Sequence, residues 1–133
     1  MRTAEIELLG EKYTLCFSAG VMIACDEKYG SVDAALQKIG EGSFEAVFWL
    51  LYQMLKAGAN YARLNEWENP EVKSYDYYTS LIGLDELAEM KRGITEAVQN
   101  GQERSFEVEA TGKARNKKKQ TRSPKEQTDV SIS

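Results

Sequence analysis

The chain has 133 residues, 42% of them apolar and 29% charged, enough for one domain with a real core and too few for two ordinary ones. Its formal charge of −4 is unevenly spread. Residues 1–104 hold 17 acidic against 10 basic side chains, and residues 105–133 hold 4 against 7. An acidic body repels phosphate and argues against nucleic acid as the main partner. The absence of any histidine removes the commonest general base and every Ser-His-Asp or Cys-His arrangement.

Taken in chain order, residues 4–17 predict a β-hairpin. Glu5-Ile6-Glu7-Leu8 alternates polar and apolar, and Tyr13-Thr14-Leu15-Cys16-Phe17 is rich in strand formers. Gly10-Glu11 is expected to make the turn with glycine first, the II′ pattern. Ser18 caps a first helix to about Lys28, with Phe17, Val21, Cys25 and Tyr29 at a spacing of four and Gly30 as its left-handed end. Ser31 caps a short second helix with the stripe Val32, Leu36 and Ile39, closed by Gly40.

Ser43 opens the third and most hydrophobic helix, to about Gly58. Phe44, Val47, Phe48, Leu51 and Leu55 mark one face, while Trp49, Leu50, Tyr52 and Met54 make the others apolar too. Such a helix is buried centrally or partly covered by a partner, and central burial is expected. Residues 59–75 read as polar and irregular, opening with a helical extension through Tyr61 and Leu64. A short helix spans about Tyr75 to Ile82, and Gly83 breaks it. Leu84 or Asp85 then starts the last helix, striped by Leu84, Leu87, Ile94 and Val98 and ended by Asn100-Gly101. Gly93 inside that helix costs up to about 1 kcal/mol relative to alanine and marks a close helix contact.

After Gly101 the apolar content collapses, so 102–133 is expected to be a disordered, partly basic tail. Phe106-Glu107-Val108-Glu109 is a candidate strand for a partner's sheet edge. The fold expectation is therefore mostly α, an N-terminal β-hairpin packed on four to five helices, with the domain at 1–101.

Few residues suggest chemistry. Cys16 and Cys25 read as buried reduced thiols, not a metal or disulfide pair. Gly40-Glu41-Gly42 reads as a linker, since no phosphate-binding pattern follows it. Asp85 and Glu86 suit the first turn of a helix. The acidic loop of Glu66, Glu68 and Glu71 around Trp67 has no metal-ligand spacing. No catalytic, metal or cofactor site is assigned, and none of the enzyme classes is expected. The N-terminus carries no apolar leader and no run reaches the ~20 residues of a membrane span.

The aromatics are the candidates for function. Trp49, Tyr52, Tyr61 and Trp67 are assigned as partner-binding residues, because Trp and Tyr are enriched in binding surfaces. Ordinary core and loop packing remains the alternative for them. Lys113, Arg115, Lys117, Lys118 and Lys119 form a basic run that reads as a solvated tail or a second contact.

The order of elements resembles the tail assembly chaperones of long-tailed bacteriophages. The resemblance runs through Leu9-Gly10-Glu11-Lys12-Tyr13-Thr14-Leu15, then Phe17-Ser18-Ala19-Gly20, then an acidic helix ending Asp26-Glu27-Lys28-Tyr29-Gly30. Ser31 opens a short amphipathic helix, Gly42-Ser43-Phe44-Glu45 leads into the hydrophobic one, and a final helix follows Gly83. It covers about residues 4–100, and the long 59–75 segment departs from the pattern. The resemblance implies a small helical protein that coats the tape measure protein, helps recruit tail tube subunits, acts in the host cytoplasm and leaves before the virion is complete. It also implies a longer frameshifted form, for which consecutive lysine codons at Lys117-Lys118-Lys119 would be a slippery site. A homo-oligomer is compatible with it. The competing readings are a tail completion protein that stays in the virion, and a small nucleic-acid-binding regulator using the basic tail.

Overall fold

The structure, a computed structural model, describes residues 2–112, with side chains through Gln102. The chain divides into two units, Met1–Gly101 and Gln102–Ser133. It is mostly helical, with an antiparallel hairpin of β1 (Thr3–Leu8) and β2 (Glu11–Cys16) packed on helices α1 (Ala19–Tyr29), α2 (Val32–Gly40), α3 (Phe44–Leu64), α4 (Tyr75–Leu81) and α5 (Leu87–Gly112). A single 3₁₀ turn, Leu84–Glu86, precedes α5.

The hairpin pairs Leu8 with Glu11, so its two turn residues are Leu9 and Gly10, not Gly10 and Glu11. Both have positive φ, 51° and 83°, the pattern of a type I′ turn, whose twist matches that of the strands. Alternation puts Ala4, Ile6, Leu8, Tyr13 and Leu15 in the core. A two-stranded sheet exposes two backbone edges, and here both are occupied. On β1, Asn100 Nδ2 donates to Thr3 O (2.8 Å), Arg92 Nη2 donates to Glu5 O (2.9 Å), and Glu7 N donates to Glu89 Oε2 (3.3 Å). On β2, Thr14 N donates to Asn69 Oδ1 at 2.8 Å, and the Thr14 carbonyl abuts Gly58 of α3. Side chains and helix α3 at these positions leave less of each edge open to another strand.

Serine caps set the helix starts, as expected at Ser18, Ser31 and Ser43 and with a further one at Ser74. Ser18, Ser31, Ser43 and Ser74 each accept a backbone N–H from three residues on. Gly30 ends α1 at φ 95°. The reversal after α2 falls at Gly42 (φ 95°) instead of Gly40, because Gly40 keeps helical geometry and Glu41 caps the helix.

Helix α3 is the spine. It runs through Gly58 to Leu64, because a glycine that admits a neighbouring strand is not a stop signal. Its buried arc is Val47, Leu50, Leu51, Met54, Leu55, Gly58 and Ala62, which is the expected central burial. Phe44, assigned to the core stripe, is the first residue of α3 and is 56% exposed, so the buried stripe begins one turn later. In α5 the buried residues are Met90, Ile94, Ala97 and Val98, while Leu84 sits in the 3₁₀ turn and is exposed. Gly93 is a close-packing position: a β-carbon there would lie 3.1 Å from Leu15 Cδ1.

Asn100-Gly101 does not end the last helix. Asn100 spends its amide on Thr3, and Gly101 clears space for Phe17, so both serve packing, and α5 continues to Gly112. The expected end of the last helix at Asn100-Gly101 is therefore corrected to Gly112. The basic run and the rest of the expected tail lie outside the described residues.

Candidate partner-binding surfaces

The four assigned aromatics form two pairs at opposite ends of α3. Trp49 and Tyr52 lie one turn apart, while Tyr61 follows Trp49 by about 18 Å of helical rise.

At the N-terminal end, Glu45 organises the surface. Tyr29 Oη donates to Glu45 Oε1 at 2.7 Å, and Lys28 Nζ lies 3.2 Å from Glu45 Oε2. The Tyr29 hydroxyl and Lys28 together hold the Glu45 carboxyl below its ordinary range. Burial, followed by the hydrogen bond to Glu45, pushes the Tyr29 phenol up. The Tyr29 ring meets Trp49 edge to face at 5.5 Å, with the Lys28 ammonium near both rings. Tyr52 meets Tyr75 edge to face at 5.5 Å, and its hydroxyl donates to Lys73 O at 2.8 Å. Trp49 and Tyr52 are half-buried, while Phe44 and Tyr75 are exposed. The result is an aromatic face held in place by hydrogen bonds and an ion pair, with its apolar edges open to solvent.

The loop after α3 is fixed by tyrosines. Lys73 N donates to Tyr78 Oη (3.0 Å), and Tyr78 Oη donates to Tyr13 Oη (3.1 Å) beneath it. Tyr13 and Tyr78 are both fully buried. The 59–75 segment is thus latched to the hairpin and to α3, and only its central part is irregular.

At the C-terminal end of α3, Tyr61 meets Trp67 edge to face at 5.5 Å. The indole is 42% exposed, and Glu66 before it adopts φ 60°, which turns the chain back over the helix end. Beside Tyr61 runs a groove of about 330 Å³ between the start of α1 and the second half of α3. Cys16, Val21 and Ala57 line its apolar part, Ser18, Gln53 and Asn60 its polar part, and Leu64, 73% exposed, and Lys56 stand beside them. Burial pushes the thiols of Cys16 and Cys25 up, so both are weak nucleophiles.

Sequence reasoning did not single out Lys28, Glu45, Lys56 or the groove. The Tyr29–Glu45 bond joins two helices separated by a third, and no periodicity signals it. The groove arises from the crossing of α1 over α3, a tertiary property. Among the described residues no cluster of three or more potential metal ligands occurs, and no helix is long and apolar enough to cross a membrane. No protein-family model, curated protein or solved structure matches the chain.

Proposed function

We propose that this protein is a tail assembly chaperone of a long-tailed phage or prophage, acting by binding the tape measure protein and aiding recruitment of tail tube subunits. The observation that carries this reading is the second face of α3. One side of that helix is the core, and the other presents Trp49 and Tyr52 with Tyr29 and Tyr75, braced by Glu45 and Lys28. Rigid, half-exposed aromatics are what a protein needs to cover an apolar partner, because little side-chain entropy is lost on contact. The acidic balance of residues 1–104 supports it too, since like-charged copies spaced along a rod stay soluble. The order of hairpin and serine-capped helices supports the reading through its resemblance to that family.

The test is co-expression of the tagged full chain with a tape measure protein from the same genome. The two proteins should purify together from the soluble fraction. A tape measure protein that is recovered without the tagged chain would overturn the reading. Retention of the chain in purified particles would favour the tail completion protein instead.

A further inference from the structure

We infer that the groove between α1 and α3 is a docking site for one amphipathic helix of a partner, taking an apolar anchor side chain with an acidic residue one turn away. The owner of that helix, the tape measure rod, rests on the proposed function; the chemistry of the groove stands independently of it.

Three observations converge. The groove is mostly apolar inside, with Cys16, Val21 and Ala57 along it and Tyr61 beside them, and its volume of about 330 Å³ leaves ample room for a leucine, methionine or phenylalanine side chain, since a cavity of about 150 Å³ already holds a benzene ring. Leu64 beside it is 73% exposed, a large apolar side chain left uncovered among the described residues. The charge at this place runs against the charge of the body. Lys56 is the only charged residue lining the groove, its ammonium rests 5.0 Å from the Tyr52 ring, and it has no carboxylate partner among the described residues. The first turn of α1 adds the positive end of a helix dipole, because Gly20 also lines the groove. A basic spot beside an apolar slot selects a partner helix that carries its acidic residue next to its anchor, the helix-in-groove mode of recognition. A basic helix would meet Lys56 and be disfavoured, even though the body as a whole is acidic.

The probe is a synthetic, amidated helical peptide with leucine anchors and a glutamate four residues from each. A control peptide carries lysine in place of every glutamate. Both are titrated into the isotope-labelled full chain, and amide shifts are followed by NMR. The glutamate peptide should shift the amides of Gly20, Ala57 and Leu64 and bind about fivefold more tightly than the control, the factor expected of one exposed ion pair. Lys56→Glu should abolish or reverse that preference. Lys56→Glu changes the charge at that position by two units, so Lys56→Gln, which only removes the cation, is measured beside it and should abolish the preference without reversing it. Leu64→Gln should weaken both peptides about fivefold while melting with the wild type, since the side chain is exposed.

Shifts confined to other surfaces would overturn the assignment. So would a preference that survives Lys56→Glu unchanged, or affinities indifferent to Leu64→Gln. Because the peptides are synthetic, such a result leaves the tape measure reading to be judged by co-purification. Failed co-purification likewise leaves the groove to be judged by the peptides.

Discussion

Gly58 faces the carbonyl oxygen of Thr14 so closely that a β-carbon on it would stand 1.8 Å from that oxygen. The helix that forms the spine thus touches strand β2 backbone to backbone. Gly58→Ala must separate them or break α3, and it should cost about 3 kcal/mol or more, the upper end for overpacking. Gly93→Ala is the matched control. Its β-carbon would meet only the side chains of Leu15 and Ile6 at 3.1–3.3 Å, and helix propensity favours alanine. It should stay within about 1 kcal/mol of wild type, the propensity gain and the crowding being of similar size. Urea denaturation of both variants checks the contrast; equal costs would contradict it.

Tyr78→Phe tests the latch over the hairpin. The hydroxyl accepts from Lys73 N and donates to Tyr13 Oη in a fully buried setting. Its loss leaves a backbone N–H and a phenol short of a partner, so about 1–3 kcal/mol should be lost. Hydrogen exchange at the Lys73 amide should speed up more than at core amides of α3. Unchanged exchange there would show that the latch carries no energy.

Glu86 is expected to oppose folding at neutral pH. Its Oε1 is buried with no hydrogen-bond partner among the described residues, and desolvation, helped by Asp85, raises its carboxyl above the usual range. A raised carboxyl contributes stability below its unfolded value and loses it as pH rises through the folded one. Glu86→Gln should therefore raise the melting temperature at pH 7, with the gain shrinking to nothing as pH falls below about 4. A pH-independent difference between the two proteins would refute the titration.

Glu89 works in the opposite sense. Hydrogen bonds from Arg92, then from Glu7 N, lower its carboxyl, so its contribution is present above the ordinary glutamate range and lost as pH falls through the folded value. Glu89→Gln should melt lower at pH 7 and match the wild type near pH 2. Side-chain exposures of 48% for Arg92 and 37% for Glu89 let water screen the pair. The loss should stay below about 1 kcal/mol and shrink in high salt.

Much of this fold is legible in the sequence because its signals are local. Serines before apolar periodic runs mark the starts of α1, α2 and α3, and strand alternation fixes which side of the hairpin is buried. What is not legible is long-range. Gly58 and Asn100-Gly101 look like helix ends, and only the hairpin lying against them makes them packing positions. Leu9 gives no sign that it will adopt a positive φ, because register and not residue type places the turn. The aromatic face is half legible: Trp49 and Tyr52 stand off the core stripe, whereas Glu45, which braces them through Tyr29 and Lys28, is an ordinary first-turn acid in the sequence.

The most direct measurement on the proposed role is the mass of the complex with the tape measure protein, by size-exclusion chromatography with light scattering. Coating predicts a soluble complex carrying several copies of this chain per rod, and aggregation of the rod when the chain is omitted. A rod that is soluble alone, or a complex with a single copy bound, would contradict the role.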